Sequence, residues 1–294
     1  MSTSSRLTEV LNAAPEIPFD DEARFILFSD CHRGDNSWAD DSSHNQTLMF
    51  YALQHYLREG FTYIEIGDGD ELWENTSFEM IRQAHSHLYW LISQFYQQNR
   101  FIMLFGNHNI VWKYPENVKR ELSTYYDEVT RKEQPLFRGI TVHEALLLKH
   151  RETQKRLFVV HGHQGDLMAE TLWRVSRFFV RVLWKPLQVL GVRDPTSPAY
   201  NFLKRNAVER KLIAWIQEQA QPMICGHTHR SVFPNSGEAP YYNTGSGVHP
   251  RCITGIEIVN GEIALIKWSI RPNKEGIMHV ARDVLEGPRK IADI

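Results

Sequence analysis

"YIEIGDGDELWE" runs from Tyr63 to Glu74. Ile64 and Ile66 read as part of a buried strand. Directly after them come Asp68, Asp70, Glu71 and Glu74, with glycines between the first of them. Carboxylates gathered at a strand end repel one another and are costly to hold without a counter-charge. The stretch therefore implies an interior strand whose carboxyl end meets positive charge.

Working outward, strand-like runs alternate with helical ones. "RFILFSD" (24–30) is an apolar run ending in polar residues. "SHNQTLMFYALQHYLREG" (43–60) has helical periodicity, and Gly60 suits a C-cap. "TYIEIGD" (62–68) is the next strand. The spacing predicts a helix over 77–98, opened by a Ser cap with Glu79 nearby. "RFIMLFGN" (100–107) is a third strand. This βαβαβ order implies parallel strands with right-handed crossovers. Later strands read as "ITVHEALLL", "KRLFVVHG", "QPMICGH" and "PYYNTGS", and "CITGIEIVNGEIALIKWSI" (252–270) is a hairpin turning at Asn260-Gly261. Two helical stretches, about 113–131 and about 167–219, interrupt the series. The reading is one unit, 1–294, with 167–219 as a helical insertion.

The chain has 294 residues and a net charge of −2, which disfavours a nucleic-acid binder; a nuclease needs a basic groove. Three cysteines without CxxC spacing fit a reducing compartment. The N-terminal segment lacks the pattern of a signal peptide, and no uncharged run is long enough to span a bilayer. A cytoplasmic location is expected.

The chemistry sits where the strands end. "FSDCHRGD" supplies Asp30 and His32, "IGDGDE" Asp68, and "FGNHN" Asn107 and His108. "VVHGHQGD" supplies His161 and His163, and "ICGHTHR" His227 and His229. Ligands of open α/β sheets gather at the carboxyl ends of strands, so five ends converge on one site. Seven candidate ligands are too many for one tetrahedral ion with an open position. Two divalent ions fit: one on Asp30, His32, Asp68 and His229, the other on Asp68, Asn107, His161 and His227, with Asp68 as bridge. Mixed O/N ligation without thiolate suits manganese first, with iron, zinc or cobalt as alternatives. Two metals ~3.5–4 Å apart can lower the pKa of shared water and clamp an in-line displacement. A metal-bound hydroxide cleaving a phosphoester or pyrophosphate bond is the expected reaction.

The order D-x-H, GD, GNH, HG and GHxH resembles the calcineurin-like metallophosphoesterase superfamily. Here it reads Asp30-Cys31-His32, Gly67-Asp68, Gly106-Asn107-His108, His161-Gly162 and Gly226-His227-Thr228-His229. The resemblance covers roughly residues 24–270. It implies an α/β fold, a β-sandwich flanked by helices in four layers (α/β/β/α), and a dinuclear metal site with the ligands above. It also implies that His108 contacts the substrate phosphate and protonates the leaving group, a task suited to a histidine near neutral pH. Family members usually carry an acid after "GNH"; this chain has Asn109, and Glu71 is the candidate to orient His108 instead. His163 and Arg33, at the expected site mouth, are candidate substrate contacts. Asp70 and Glu74 read as solvated or capping residues.

The segment "TLWRVSRFFVRVLWKPLQVLGV" (171–192) places Arg174, Arg177, Arg181 and Lys185 along one helix face, with Val175, Phe178, Phe179 and Val182 on much of the rest. Three readings stay open: a packed helix, a cap over the metals, or a peripheral contact with an anionic membrane. The UDP-2,3-diacylglucosamine hydrolases of the same superfamily have a cap inserted at this place, although they usually have Arg where this chain has His108. A phosphorylated small-molecule or lipid-linked substrate is expected. The rival reading is a catalytically silent binding scaffold of the same fold, which the full ligand set argues against.

Overall fold

In the computed structural model, residues 2–166, 173–184 and 202–294 are described. The chain begins with α1 (Thr3–Ala13), β1 (Glu16–Phe19), β2 (Arg24–Phe28), α2 (Gln46–Arg58), β3 (Thr62–Ile66), α3 (Phe78–Ala84), α4 (Ser86–Gln97) and β4 (Phe101–Leu104). It continues through α5 (Pro115–Leu122), β5 (Thr124–Asp127), β6 (Lys132–Pro135), β7 (Val142–His143), β8 (Ala145–His150), β9 (Arg156–Val160), α6 (Trp173–Phe179) and α7 (Phe202–Gln219). The remaining strands are β10 (Met223–Cys225), β11 (Tyr241–Asn243), β12 (Cys252–Val259), β13 (Glu262–Pro272) and β14 (Met278–Lys290).

The apolar runs are continuous because the strands are covered on both faces. Phe25 and Leu27 of β2 face one core, and Ile26 and Phe28 face another. A seven-stranded sheet, in the order β14-β13-β12-β2-β3-β4-β7, packs against a five-stranded sheet, β1-β8-β9-β10-β11. The core between them includes Ile64, Ile66, Leu104, Leu146, Val159, Ile224 and Ile256. Residues of α2, α3 and α4 cover the outer face of the larger sheet. Leu7 and Val10 of α1, with Val208, Leu212, Trp215 and Ile216 of α7, cover the smaller one. The result is a four-layer α/β/β/α sandwich, with β2, β3 and β4 parallel and adjacent. Their carboxyl ends therefore open on one edge of the molecule.

Three local expectations need correction. The helix expected over 77–98 is two helices, broken at His85. That imidazole is fully buried and lies 2.9 Å from an equally buried carboxylate oxygen of Asp40, a contact a continuous helix does not provide for. The helix expected over 113–131 ends at Leu122, and "TYYDEVTRKEQP" forms the hairpin β5–β6, its turn held by Asp127 accepting from the Val129 and Thr130 amides. The insertion is also narrower than 167–219, since α7 belongs to the outer layer on the five-stranded sheet.

Of the remaining insertion, α6 and the wider turn that follows it, Val180–Trp184, are described; Leu172, Lys185 and Pro186 lie outside the described residues. Arg181 does not contribute to a free basic face. Its guanidinium donates to the carbonyl oxygens of Leu72, Trp73 and Asn75, fastening the insertion to the acidic loop after β3. Val175, Phe178, Phe179 and Val182 are exposed. Among the described residues, no helix is long and apolar enough to cross a membrane.

Candidate metal centre

The loops after β2 and β3 run side by side. The Asp30, His32 and Arg33 amides donate to the carbonyls of Gly67, Asp68 and Gly69, and the Glu71 amide returns a bond to the Arg33 carbonyl. This pairing extends the sheet beyond its strands and places Asp30, His32, Asp68 and Glu71 together. Gly106 completes the cradle: a Cβ there would lie 2.2 Å from Asp68 Oδ1, so only glycine lets the loop after β4 approach. Asn109 stabilises this crossing, its Oδ1 accepting from the Gly106 amide at 2.7 Å.

Asn107 lies between Gly106 and His108, both of which meet Asp68 Oδ1, and the other six predicted ligands converge; of the seven, all but His229 are buried. They form two groups of converging donors, Asp30 with His32 and His229, and Asp68 with His161 and His227. Each carboxylate has one oxygen fixed by backbone. Asp30 Oδ2 accepts from the His227 amide at 2.9 Å, and Asp68 Oδ1 from the His108 amide at 2.8 Å. The free oxygens meet imidazoles: Asp30 Oδ1 lies 3.2 Å from His229 Nε2, and Asp68 Oδ2 lies 3.0 Å from His161 Nε2.

Four buried donor atoms, Asp30 Oδ1, Asn107 Oδ1, His161 Nε2 and His227 Nε2, make no hydrogen bond. Leaving one such atom unsatisfied costs about 1–3 kcal/mol, so four in one cradle require a further partner. The tautomers agree. His161 Nδ1 lies 2.8 Å from the Ile66 carbonyl and His32 Nδ1 2.6 Å from Glu71 Oε2, both acceptors, so each ring in its neutral form keeps its proton on Nδ1 and turns the lone pair of Nε2 to the centre. These oxygen and nitrogen donors fit divalent cations.

The electrostatics match. Burial raises the Asp30 and Asp68 carboxyls, but the histidines around them hold both well below the usual carboxylate range. Burial lowers His161, yet Asp68 and Asp30 lift it to about 9, so it carries a proton at neutral pH that an incoming cation must displace. Burial, with the charge of His161 alongside, drives His227 down to about 3 and keeps it neutral.

Glu71 sits between two rings. Its carboxylate holds His32 Nδ1 at 2.6 Å and His108 Nδ1 at 2.7–2.8 Å. Burial would raise it, but the two histidines hold it at about 2. The indole of Trp73 stacks on the His108 ring, centroids 4.3 Å apart and planes 22° apart. The sequence reading missed Trp73; the aromatic within the acidic block "ELWE" was the available signal. It also missed Asp166, whose Oδ2 lies 3.9 Å from His227 Nε2, and Ser29, whose hydroxyl donates to Asp30.

Two candidate substrate contacts lie elsewhere. Arg33 is not at the mouth of the site but is buried, bound to both oxygens of Glu65 and to Asp70. Asp70, read as solvated, is buried there too, accepting also from Tyr89 and Trp112. Part of the acidic charge after β3 is thus cancelled from beneath by Arg33. His163 is buried behind His161, ring centroids 5.5 Å apart, where burial and the neighbouring histidines hold it well below its ordinary value. It lines a separate cavity of about 60 Å³ with Arg6, Phe105, Lys113, Glu144 and Trp173.

No family model and no curated protein matches the chain. Among solved structures it is similar to Vps29 of Chaetomium thermophilum, at 9% identity and a TM-score of 0.40, covering 90% of this chain and 96% of that one. It is also similar to a Staphylococcus aureus protein named as a 5'-nucleotidase, at 13% identity and a TM-score of 0.37, covering 90% of this chain and 54% of that one. Likenesses at this level carry no argument about activity, and the reading of the site rests on its own geometry.

Proposed function

We propose that the chain is a metal-dependent phosphohydrolase of the metallophosphoesterase type. The observation behind this reading is the set of unpartnered buried donor atoms contributed by separate strand ends to one cradle. We assign the cradle to two divalent ions, manganese first. Asp30, His32 and His229 would hold one and Asn107, His161 and His227 the other, with Asp68 as the carboxylate available to both. When bound, such ions lower the pKa of water and neutralise charge on phosphoryl oxygens.

The chain's own residues do the rest. Glu71 accepts from His108 Nδ1, which leaves Nε2 as the nitrogen that meets substrate and stabilises the ring when it is charged. His108 is part-exposed, at 22% side-chain exposure, so it can reach a bound ester. It donates its Nε2 proton to the leaving oxygen. Asn107 helps to steady the charge that spreads over the phosphoryl oxygens. Trp73 covers one face of His108 and excludes water from it. His108→Ala is expected to lower turnover by roughly 10²–10⁴-fold while metal content stays at the wild-type level. Equal loss of metal and activity would make the histidine structural.

The substrate class we favour is a phosphorylated small molecule. The exposed Val175, Phe178, Phe179 and Val182 of the insertion favour a second, narrower reading, a lipid-linked or nucleotide-sugar diphosphate cleaved at a membrane surface. The test is turnover of chelator-stripped protein re-supplied with Mn, Zn, Co, Fe(II) or Mg. The esters are p-nitrophenyl phosphate, its bis ester and a nucleotide diphosphate. Metal-dependent hydrolysis is the expected result, and the preferred ester selects the class. Protein that binds no metal under any condition overturns the proposal and favours the scaffold reading.

A further inference from the structure

Far from the metal centre in the strand order, the larger sheet ends in β14, which pairs with β13 on one side only. The Asn273 amide bonds the Ile277 carbonyl at the hairpin's closed end, which sets the alternation of the ladder. In the register Arg271–His279, Ser269–Ala281 and Lys267–Asp283, those three β14 residues turn their backbone groups toward β13. Met278, Val280, Arg282 and Val284 therefore turn theirs outward, and among the described residues no backbone group pairs with them. An open edge of this length is a template for another strand unless it is blunted. Within the open stretch the charges of Arg282 and Asp283 are taken up by Glu257 and Arg271 of the same chain, and past Val284 the register with β13 shifts and Pro288 follows.

The edge is apolar as well as open. Met278 is 60% exposed and Val284 46%, on the same sheet face as Ile270 and beside α2, where Tyr51 packs on Trp268. Soluble proteins rarely leave such patches beside an open edge without a partner.

We infer that β14 pairs with β14 of a second copy of this chain, antiparallel about a two-fold axis at Ala281. The choice of partner and register comes from self-complementarity. For outward backbone groups to meet, the facing residues must both be of the outward set or both of the inward set. With the axis at Ala281, Val284 faces Met278 of the partner subunit, Arg282 faces Val280 of the partner subunit, and Asp283 faces His279 of the partner subunit. Val284 and Met278 of the partner subunit meet as apolar residues, a carboxylate meets an imidazole, and Arg282, whose guanidinium is held by Glu257 of its own chain, sets its stem against Val280 of the partner subunit. An axis at Arg282 sets two guanidiniums directly opposite, and one at Asp283 sets two carboxylates opposite, both unfavourable. Pairing at Ala281 also keeps the contact on the straight part of the strand. The interface is isologous and closes as a dimer, giving one continuous sheet of fourteen strands from two chains of seven.

The test is sedimentation equilibrium on the full chain across a dilution series. The expected mass is twice the 34.4 kDa of the chain. Val284→Pro removes an outward amide without touching the ladder to β13, and should halve the observed mass while far-UV circular dichroism is unchanged. Val284→Lys is the second variant: it keeps the amide but sets a charge against Met278 of the partner subunit, and should also give monomer. A wild-type monomer at every concentration overturns the inference. So does a dimer that persists in both variants.

Discussion

Asp68→Asn is expected to abolish turnover and to strip metal from the protein. The substitution preserves shape and leaves an oxygen to accept the His108 amide, which Asp68 Oδ1 does at 2.8 Å. What it removes is charge. The Asp68 carboxyl is held well below its ordinary range by the surrounding histidines, so it is an anion at any working pH. It is also a main cause of the raised His161 value, so the two groups share one electrostatic arrangement. Losing a residue that only orients a metal ligand costs about 10–100-fold, and losing a shared ligand should exceed that. Metal content by mass spectrometry and turnover on the best ester should fall together. Wild-type turnover in Asp68→Asn would remove this residue from the centre.

The second large effect concerns stability. Arg33→Met should destabilise the fold by about 3–5 kcal/mol, because it leaves Glu65 and Asp70 buried without their cation. Both carboxylates keep neutral donors, Tyr63 to Glu65 at 2.7 Å and Trp112 to Asp70 at 2.9 Å, but neither donor supplies charge. Burial penalises the Arg33 cation, yet the pairing with Glu65 raises the guanidinium well above its already high value. A fall in the guanidinium chloride midpoint, with an unfolding temperature lower by on the order of 10 °C, is the expected readout. A variant as stable as wild type but slow in turnover would return Arg33 to the role of substrate contact.

The contrast between these residues shows what the sequence could reveal. The strands and the ligand set were legible because each ligand directly follows an apolar run, and strand order alone brings such ends together. The hairpin at 252–270 was legible because Asn260 and Gly261 both adopt the positive φ, 53° and 68°, that a two-residue turn of this kind needs. Arg33 was misplaced because its environment is set by another segment. Nothing near "CHRGD" indicates that the loop after β3 runs beside it and brings Asp70 beneath the site. The break at His85 gave no signal for the same reason, its partner Asp40 being 45 residues away in the chain. The β5–β6 hairpin was missed through a different cause: its strands, "TYYD" and "KEQP", are short and mostly unburied, with no alternation to mark them as strands.

Five of the seven proposed ligands, Asp30, His32, Asp68, His227 and His229, adopt positive φ between 45° and 66°. That backbone region favours glycine and costs other residues about 1–3 kcal/mol each at functional sites. Glycine at any of these positions relieves the backbone while deleting a ligand. At Asp30 and Asp68 that relief is offset, because the His227 and His108 amides would lose their carboxylate acceptors. Backbone of this kind persists only where the surrounding structure over-determines it, so the five side chains are set in position in advance of any ligand.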